Sequence, residues 1–326
     1  MRHRPSDIPD SALCAALSAW GLEHPTPTWV PAGFGDHHWT VTTGDGRRWF
    51  VTVADLSDKP HCGPDVQGAL LGLRRAMDTA YALRALPFVV APLRTADGAT
   101  VAPLGERYCV SVFPFVAGDP GQFCEARTPH ERRLVLDLLA ALHSTPPPPG
   151  IPHHTPAPPG RAVLDAALDA TDIPWAGGPY AEPARALTAR HAPALRAVLE
   201  AFDRQAARPS GAPVVTHGEP HPGNILRAGD RRLLIDWDTT ALAPPERDLW
   251  LVADGPDDLA YYARATGHTP DQDLLAFHRL RWDLDDTAAF LGWFRAPHTD
   301  NPDTAQAWEG LRATLARLTS PAGDGA

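Results

Sequence analysis

Residues His217 to Asn224 read His-Gly-Glu-Pro-His-Pro-Gly-Asn, and Asp236 closes the apolar run Leu233-Leu234-Ile235 twelve positions after Asn224. Glu219, Asn224 and Asp236 carry hard oxygen atoms, the donors that phosphate chemistry needs. One carboxylate orients an attacking hydroxyl, while an amide oxygen and a second carboxylate hold Mg²⁺ against nucleotide phosphates. Pro220, Pro222 and Gly223 forbid a regular helix, so Glu219 and Asn224 are expected on a stiff loop. Ile225-Leu226, a turn at Ala228-Gly229-Asp230 and Leu233-Leu234-Ile235 predict a hairpin that returns Asp236 to the side of Asn224. Asp236-Trp237-Asp238-Thr239 alone also fits an Asx turn after a strand. The joint spacing of acid, amide, hairpin and acid favours the metal site.

The elements that must carry these residues are legible in outline. Asp10 to Gly21 has apolar residues at helical spacing and ends at a glycine. Gly33 and Gly35 lie between that helix and the first expected strand. Trp39-Val41, a Gly44-Asp45-Gly46 turn and Trp49 to Val53 predict a hairpin. Asp65 to Leu86 reads as a helix with Val66, Leu70, Leu73 and Met77 on one face, and Phe88–Pro92 and Tyr108–Val116 read as strands. Thr128-Pro129-His130-Glu131 supplies an N-cap, a proline at the first helical position and a capping glutamate. Further helices are expected over 162–170, 183–208, 257–265, 271–293 and 304–318, a loop over 146–160, and fraying from Ser320 to the end. Strands segregated from helices predict an α+β class with two lobes.

His-Gly-Glu-Pro-His-Pro-Gly-Asn-Ile-Leu, then Ile-Asp-Trp-Asp and Leu-Ala-Pro-Pro-Glu-Arg-Asp-Leu, resembles the aminoglycoside phosphotransferase family, nearest its spectinomycin branch. Phe113-Pro114-Phe115-Val116 and Arg279 to Asp286 extend the resemblance over most of the chain. It implies a bilobal, protein-kinase-like fold, with a β-rich nucleotide-binding lobe over 1–117 and a mainly helical lobe over 118–326. It also implies ATP and Mg²⁺ as cofactors and phosphorylation of an antibiotic hydroxyl. Carried across, Glu219 stands at the catalytic acid, Asn224 and Asp236 at the metal ligands, and Arg247 and Asp248 in a motif that supports the loop.

Three departures shape the expectations. Glu219 replaces the usual aspartate, a shift of about 1 Å that proline-stiffened geometry is expected to absorb, since such misplacement otherwise costs ~10²-fold in rate. Thr52 stands where the family's nucleotide-clamping lysine belongs. Lys59, the sole lysine of the chain, is either its substitute, alongside Arg47 or Arg48, or a solvated loop residue. Asp65 is the nearest acid that could brace such a lysine.

The remaining nucleotide contacts follow from backbone logic. Gly33 and Gly35 make a loop that can cover phosphates. Beyond them, the Pro114 carbonyl and the Val116 N–H suit an adenine edge. For the acceptor, Asp283 and Asp286 share a helix face, with Asp238 and Glu246 as alternatives nearer the catalytic segment. The alternative within the same class is a metabolic kinase for choline, homoserine or a sugar; a choline enzyme would need an aromatic cage, for which Trp237, Trp250, Trp282 and Trp293 are candidates. A non-catalytic pseudokinase is the reading from another class. His217 and His221 are four positions apart, but Glu219 sits at the wrong place for a helical zinc motif and Pro220 prevents the helix that would put both on one face; His37-His38 and His153-His154 read as surface pairs.

The bulk numbers set limits. A chain of 326 residues with 44% hydrophobic and 21% charged residues is globular, and a net charge of −10 argues against nucleic acid and for a cationic small molecule as partner. Cys14, Cys62, Cys109 and Cys124 are scattered, as in a reducing compartment. No apolar run is long enough to span a membrane. A cytoplasmic monomer or weak dimer is the expectation.

Overall fold

The computed structural model describes residues 1–123, 125–208 and 211–320, so Cys124 and nearly all of the tail expected to fray lie outside it. By contact the chain forms two compact units, Met1–His154 with Gly211–Asp271 and Thr155–Ser210 with Gln272–Ala326. The expected boundary between 117 and 118 falls inside the first unit.

The first unit opens with helix α1 (Asp10–Leu17) and an antiparallel sheet of β1 (Thr26–Val30), β2 (His37–Thr42), β3 (Arg48–Asp55), β4 (Ala102–Leu104) and β5 (Tyr108–Pro114), in the order β1-β2-β3-β5-β4. Alternate side chains of the middle strands (Trp39, Val41, Val51, Val53, Val110, Val112) bury against Leu13 and Leu17 of α1. This is the period-two pattern of a sheet with one face on a core. The predicted β2–β3 hairpin is present. β1 escaped prediction because Pro27 argues against a strand; it is an edge strand, where a missing N–H is tolerated. Gly33 and Gly35 therefore sit between β1 and β2, not between helix and first strand.

Helix α2 (Val66–Ala82) starts on Asp65, whose side chain accepts the Gly68 N–H at 2.7 Å. Leu73 and Met77 are buried as expected, whereas Val66 is exposed. Phe88–Pro92 is not a strand. It makes one isolated bridge, Val89 to Leu234. His37 and His38 are not a surface pair either: His37 is buried in β2, and His38 Nδ1 lies 3.2 Å from Thr52 Oγ1.

Helix α3 (Pro129–His143) carries the predicted Thr128–Glu131 capping box. Two small sheets follow, β6 (Asp119–Pro120) with β8 (Ile225–Ala228) and β9 (Arg231–Leu234), and β7 (Val214–Thr216) with β10 (Ala241–Ala243). Helices α6 (Glu246–Leu249) and α7 (Pro256–Thr266) complete the unit. The second unit is helical: α4 (Arg161–Asp169), α5 (Ala181–Ala206), α8 (Gln272–Arg295) and α9 (Pro302–Thr319). Leu164, Leu195, Phe202, Leu284, Phe294 and Leu311 anchor its core. The expected α+β class is borne out.

Candidate active site

The catalytic segment leaves β7 at Thr216 and turns sharply at Gly218, whose φ is +102°. Any Cβ there would also come within 2.4 Å of the Arg247 guanidinium. Gly229, in the β8–β9 turn, has φ +63° but open space around it. Gly218→Ala is therefore expected to cost about 1–3 kcal/mol from backbone strain plus the clash, and Gly229→Ala clearly less. Urea unfolding of the two variants checks this, and equal losses would contradict it.

The neighbours of Glu219 hold its backbone at both ends. His217 Nδ1 accepts the Glu219 N–H at 3.2 Å, and the Glu219 carbonyl accepts from the Asn224 amide at 3.0 Å. His217 Nε2 lies 2.9 Å from the Ile235 carbonyl, so both ring nitrogens are engaged within the protein and not on a metal. Burial keeps this imidazole neutral by lowering its pKa. Arg127 steadies the same loop by donating to the Pro220 carbonyl at 2.7 Å.

Asn224 ends a short 3-10 turn and opens β8, and the hairpin brings the chain back as predicted: the Ile235 N–H donates to the Asn224 carbonyl at 3.1 Å. Trp237 is fully buried, packs 4.7 Å from His217 and donates to the Leu234 carbonyl. With Trp237 fixed in the core, Asp236 takes a left-handed φ of +66° and stays exposed. A non-glycine residue there is strained, and such strain concentrates at functional positions.

Asp248 is the anchor beneath the loop. Fully buried, it accepts the His217 N–H at 2.8 Å and the Gly218 N–H at 2.6 Å, with His143 Nε2 at 3.1 Å. Arg247 donates to Thr216 Oγ1 and to the Thr239 carbonyl. The two residues act as the scaffold expected of their motif.

Lys59 is not a solvated loop residue. Its ammonium is buried and ion-paired to Asp238 at 2.6 Å and Asp36 at 2.9 Å. Burial works against that charge, but Asp238 and Asp36 outweigh it and raise the pKa well above the ordinary lysine value. His61 approaches the same Asp238 oxygen at 3.1 Å. Asp65, the acid expected beside the lysine, is occupied as the α2 cap. Sequence reasoning missed Asp36 and His61; the signals available were an acid directly after the Gly33–Gly35 loop and a histidine two residues past the only lysine.

Asp36, Asp236 and Asp238 present carboxylate oxygens within 4.8 Å of one another. This crowding shapes the titration of the site. Burial first and Asp238 second push Glu219 up to about 7 against the pull of His61, Arg247 and Lys59. Its carboxylate accepts no hydrogen bond from the described residues. A hard-oxygen set with excess negative charge fits a divalent cation.

Other candidates are placed as follows. Gly33 and Gly35 have φ of +75° and +99° in the β1–β2 loop. Thr52 faces His38, Pro114 ends β5, and Val116 follows it half-buried. Glu246 cannot meet an acceptor: it is 0% exposed and accepts from the Asp271 N–H, with His268 Nε2 at 2.8 Å. Asp238, tied to Lys59 and His61, is likewise turned to the protein. Trp237 is too buried to join an aromatic cage. In the second unit, Asp283 pairs with Arg317 at 2.6 Å, and Asp286 lies on the same helix. No helix among the described residues is long and apolar enough to cross a membrane.

Residues 28–290 match the model of the phosphotransferase enzyme family. Protein StrN of Streptomyces griseus is 29% identical over 321 residues, spanning 88% of this chain and 91% of StrN. The fold is similar to that of a spectinomycin phosphotransferase solved with ADP and spectinomycin, with a TM-score of 0.71, 15% identity, and 96% and 98% of the two chains covered. It is also similar to Plasmodium vivax ethanolamine kinase, at 0.56 and 10% identity over 90% and 83%. A stiff loop carrying Glu219, a hairpin that returns Asp236 to Asn224, and a family match over most of the length lead to one conclusion: the chain belongs to the phosphotransferase enzyme family.

Proposed function

We propose that this enzyme moves the γ-phosphoryl group of ATP, with Mg²⁺, onto a hydroxyl of a small cationic antibiotic of the aminoglycoside or aminocyclitol kind, and so inactivates it in the cytoplasm. The observation that carries the reading is the backbone bond from Ile235 to Asn224, which sets Asp236 beside Asn224 while the Asn224 amide holds the Glu219 carbonyl. The family membership and the ADP and spectinomycin in the similar spectinomycin enzyme support the choice of cofactor and acceptor.

In this reading Glu219 accepts the hydrogen bond of the acceptor hydroxyl. As the new P–O bond forms and the bond to ADP breaks, the hydroxyl proton passes to the Glu219 carboxylate. Its raised pKa suits it to take a proton near neutrality. Asn224 and Asp236 would hold Mg²⁺, which when bound neutralises charge on the phosphates. Lys59 supplies positive charge toward the phosphates in place of the strand lysine, and Gly33 and Gly35, on either side of the exposed Phe34, let the loop backbone approach them. The Pro114 carbonyl and Val116 N–H take the adenine edge. Asp238, Glu246 and Asp283 are each held by protein partners, so the cationic groups of the acceptor are not assigned to them.

The test is direct. The enzyme with Mg·ATP is offered spectinomycin, streptomycin, a macrolide, choline and ethanolamine, and each is weighed by mass spectrometry. Gain of one phosphoryl group by an aminocyclitol or aminoglycoside supports the proposal. Phosphorylation of choline or ethanolamine alone would replace it with a metabolic kinase, and phosphorylation of none would refute it.

A further inference from the structure

Helix α2 carries only one acid, Asp78, and its carboxylate accepts from Thr100 Oγ1 at 2.9 Å. Asp65, at its start, caps the helix. No acid of this helix therefore reaches Lys59. In kinases the phosphate-facing lysine is held ready by a carboxylate on the corresponding helix, and that pair must be in place for activity. Here the lysine is held from a different direction.

We propose that Asp238 is the positioning residue for Lys59, bracing its ammonium toward the phosphates from the metal-binding hairpin in place of an acid on α2. Asp238 lies two residues past Asp236, so one short segment carries both a proposed metal ligand and the lysine brace. The pair is close, 2.6 Å, and both side chains are more than nine-tenths buried. The same segment grips the lysine loop twice more: His61 Nε2 lies 3.1 Å from the same Asp238 oxygen, and the Cys62 thiol points to the Asp238 carbonyl at 3.8 Å.

Helix α2 has a mechanical role instead. A Cβ on Gly72 would fall 1.9 Å from the Cys62 carbonyl, and one on Gly63 would fall 2.1 Å from the Gly68 backbone. The loop from Lys59 to Gly63 is thus seated on the helix by glycine contacts, while its charge is balanced elsewhere. With Thr52 in place of the strand lysine, both members of the pair have moved: the lysine lies in the loop, and its acids are Asp238 of the hairpin and Asp36 just before β2.

This inference rests on the reading of Lys59 as a phosphate contact, so the experiment separates the two. Binding of ADP is measured by calorimetry in EDTA and again in Mg²⁺ for the wild type, Asp238→Asn, Asp238→Glu and Asp65→Asn. The wild type should bind ADP in both conditions. Asp238→Asn should weaken ADP in EDTA by at least about tenfold, as breaking a buried charge pair does, with partial recovery in Asp238→Glu and little change in Asp65→Asn.

Because Lys59 is the only side-chain amine, its acetylation by an amine-selective reagent, located by peptide mass spectrometry, gives a second readout. It should be slow in the wild type and fast in Asp238→Asn. If Asp238→Asn loses only the gain that Mg²⁺ brings, Asp238 is a metal ligand and the brace is wrong. If Asp65→Asn matches Asp238→Asn, the helix acid is the brace. If the wild type binds no ADP, the nucleotide reading itself fails and the brace falls with it.

Discussion

Glu219→Gln slows phosphoryl transfer by about 10²–10⁴-fold, the contribution of a positioned proton acceptor, while ADP affinity stays within about threefold because the residue acts on the acceptor and not on the nucleotide. Its protonation gives a second handle. Glu219 is pushed up to about 7 from 4.5, first by burial and then by Asp238. The base works only when ionised, so kcat/KM should fall as pH drops through about 7. Stability runs the other way. The folded state holds this proton more tightly than the unfolded chain, so its contribution is present below 4.5 and is lost as pH rises through about 7. Above that range the ionised carboxylate costs stability that glutamine does not. Glu219→Gln should therefore melt higher than the wild type at pH 8, by roughly 2–4 °C per kcal/mol regained, and should match it at pH 4. Scanning calorimetry at both pH values, beside the rate profile, checks the pair. A variant with normal turnover, or one that melts lower at pH 8, would remove Glu219 from this role.

The largest loss of stability is expected from Asp248→Ala. It would strip the acceptor from two buried N–H groups and from His143 at once, a change of about 3–5 kcal/mol for a broken buried charged contact. Burial alone would raise the Asp248 pKa, but hydrogen bonding and charge from His143, with Arg247 and His217, outweigh it and hold it below 3.8. A depressed carboxylate stabilises above its unfolded value and loses that contribution as pH falls through the folded one. The gap between wild type and Asp248→Ala should therefore be full at pH 7 and shrink below pH 3.8. Transfer should fall with it, since His217 and Gly218 set the direction of Glu219. Urea titrations at pH 7 and pH 3 measure both limbs, and a variant as stable as the wild type at pH 7 would show that the loop does not hang on Asp248.

Much of this was legible because short-range chemistry fixes it. Pro220, Pro222 and Gly223 exclude a helix whatever surrounds them, and the Ala228-Gly229-Asp230 turn pins the register that returns Asp236 to Asn224. The Thr128–Glu131 box and the apolar stripe after it located α3 on local grounds alone. What escaped depends on distant partners. β1 and β10 are short strands that exist by pairing with β2 and β7, and Pro27 argues locally against the first. Phe88–Pro92 has strand composition but finds only one bridge along β9. Lys59 could not be placed from its neighbours in sequence, because the acids that bury its charge, Asp36 and Asp238, lie 23 and 179 positions away. Glu246 looked available only because sequence does not report that His268 and the Asp271 amide enclose it.

Whether Glu219, Asn224 and Asp236 form one site for a divalent ion carrying nucleotide phosphates can be read from the Mg²⁺ dependence of ADP binding in the wild type and in Asp236→Asn, followed by calorimetry. Mg²⁺ should tighten ADP in the wild type and leave its affinity for Asp236→Asn nearly unchanged. Equal tightening in both proteins would contradict it.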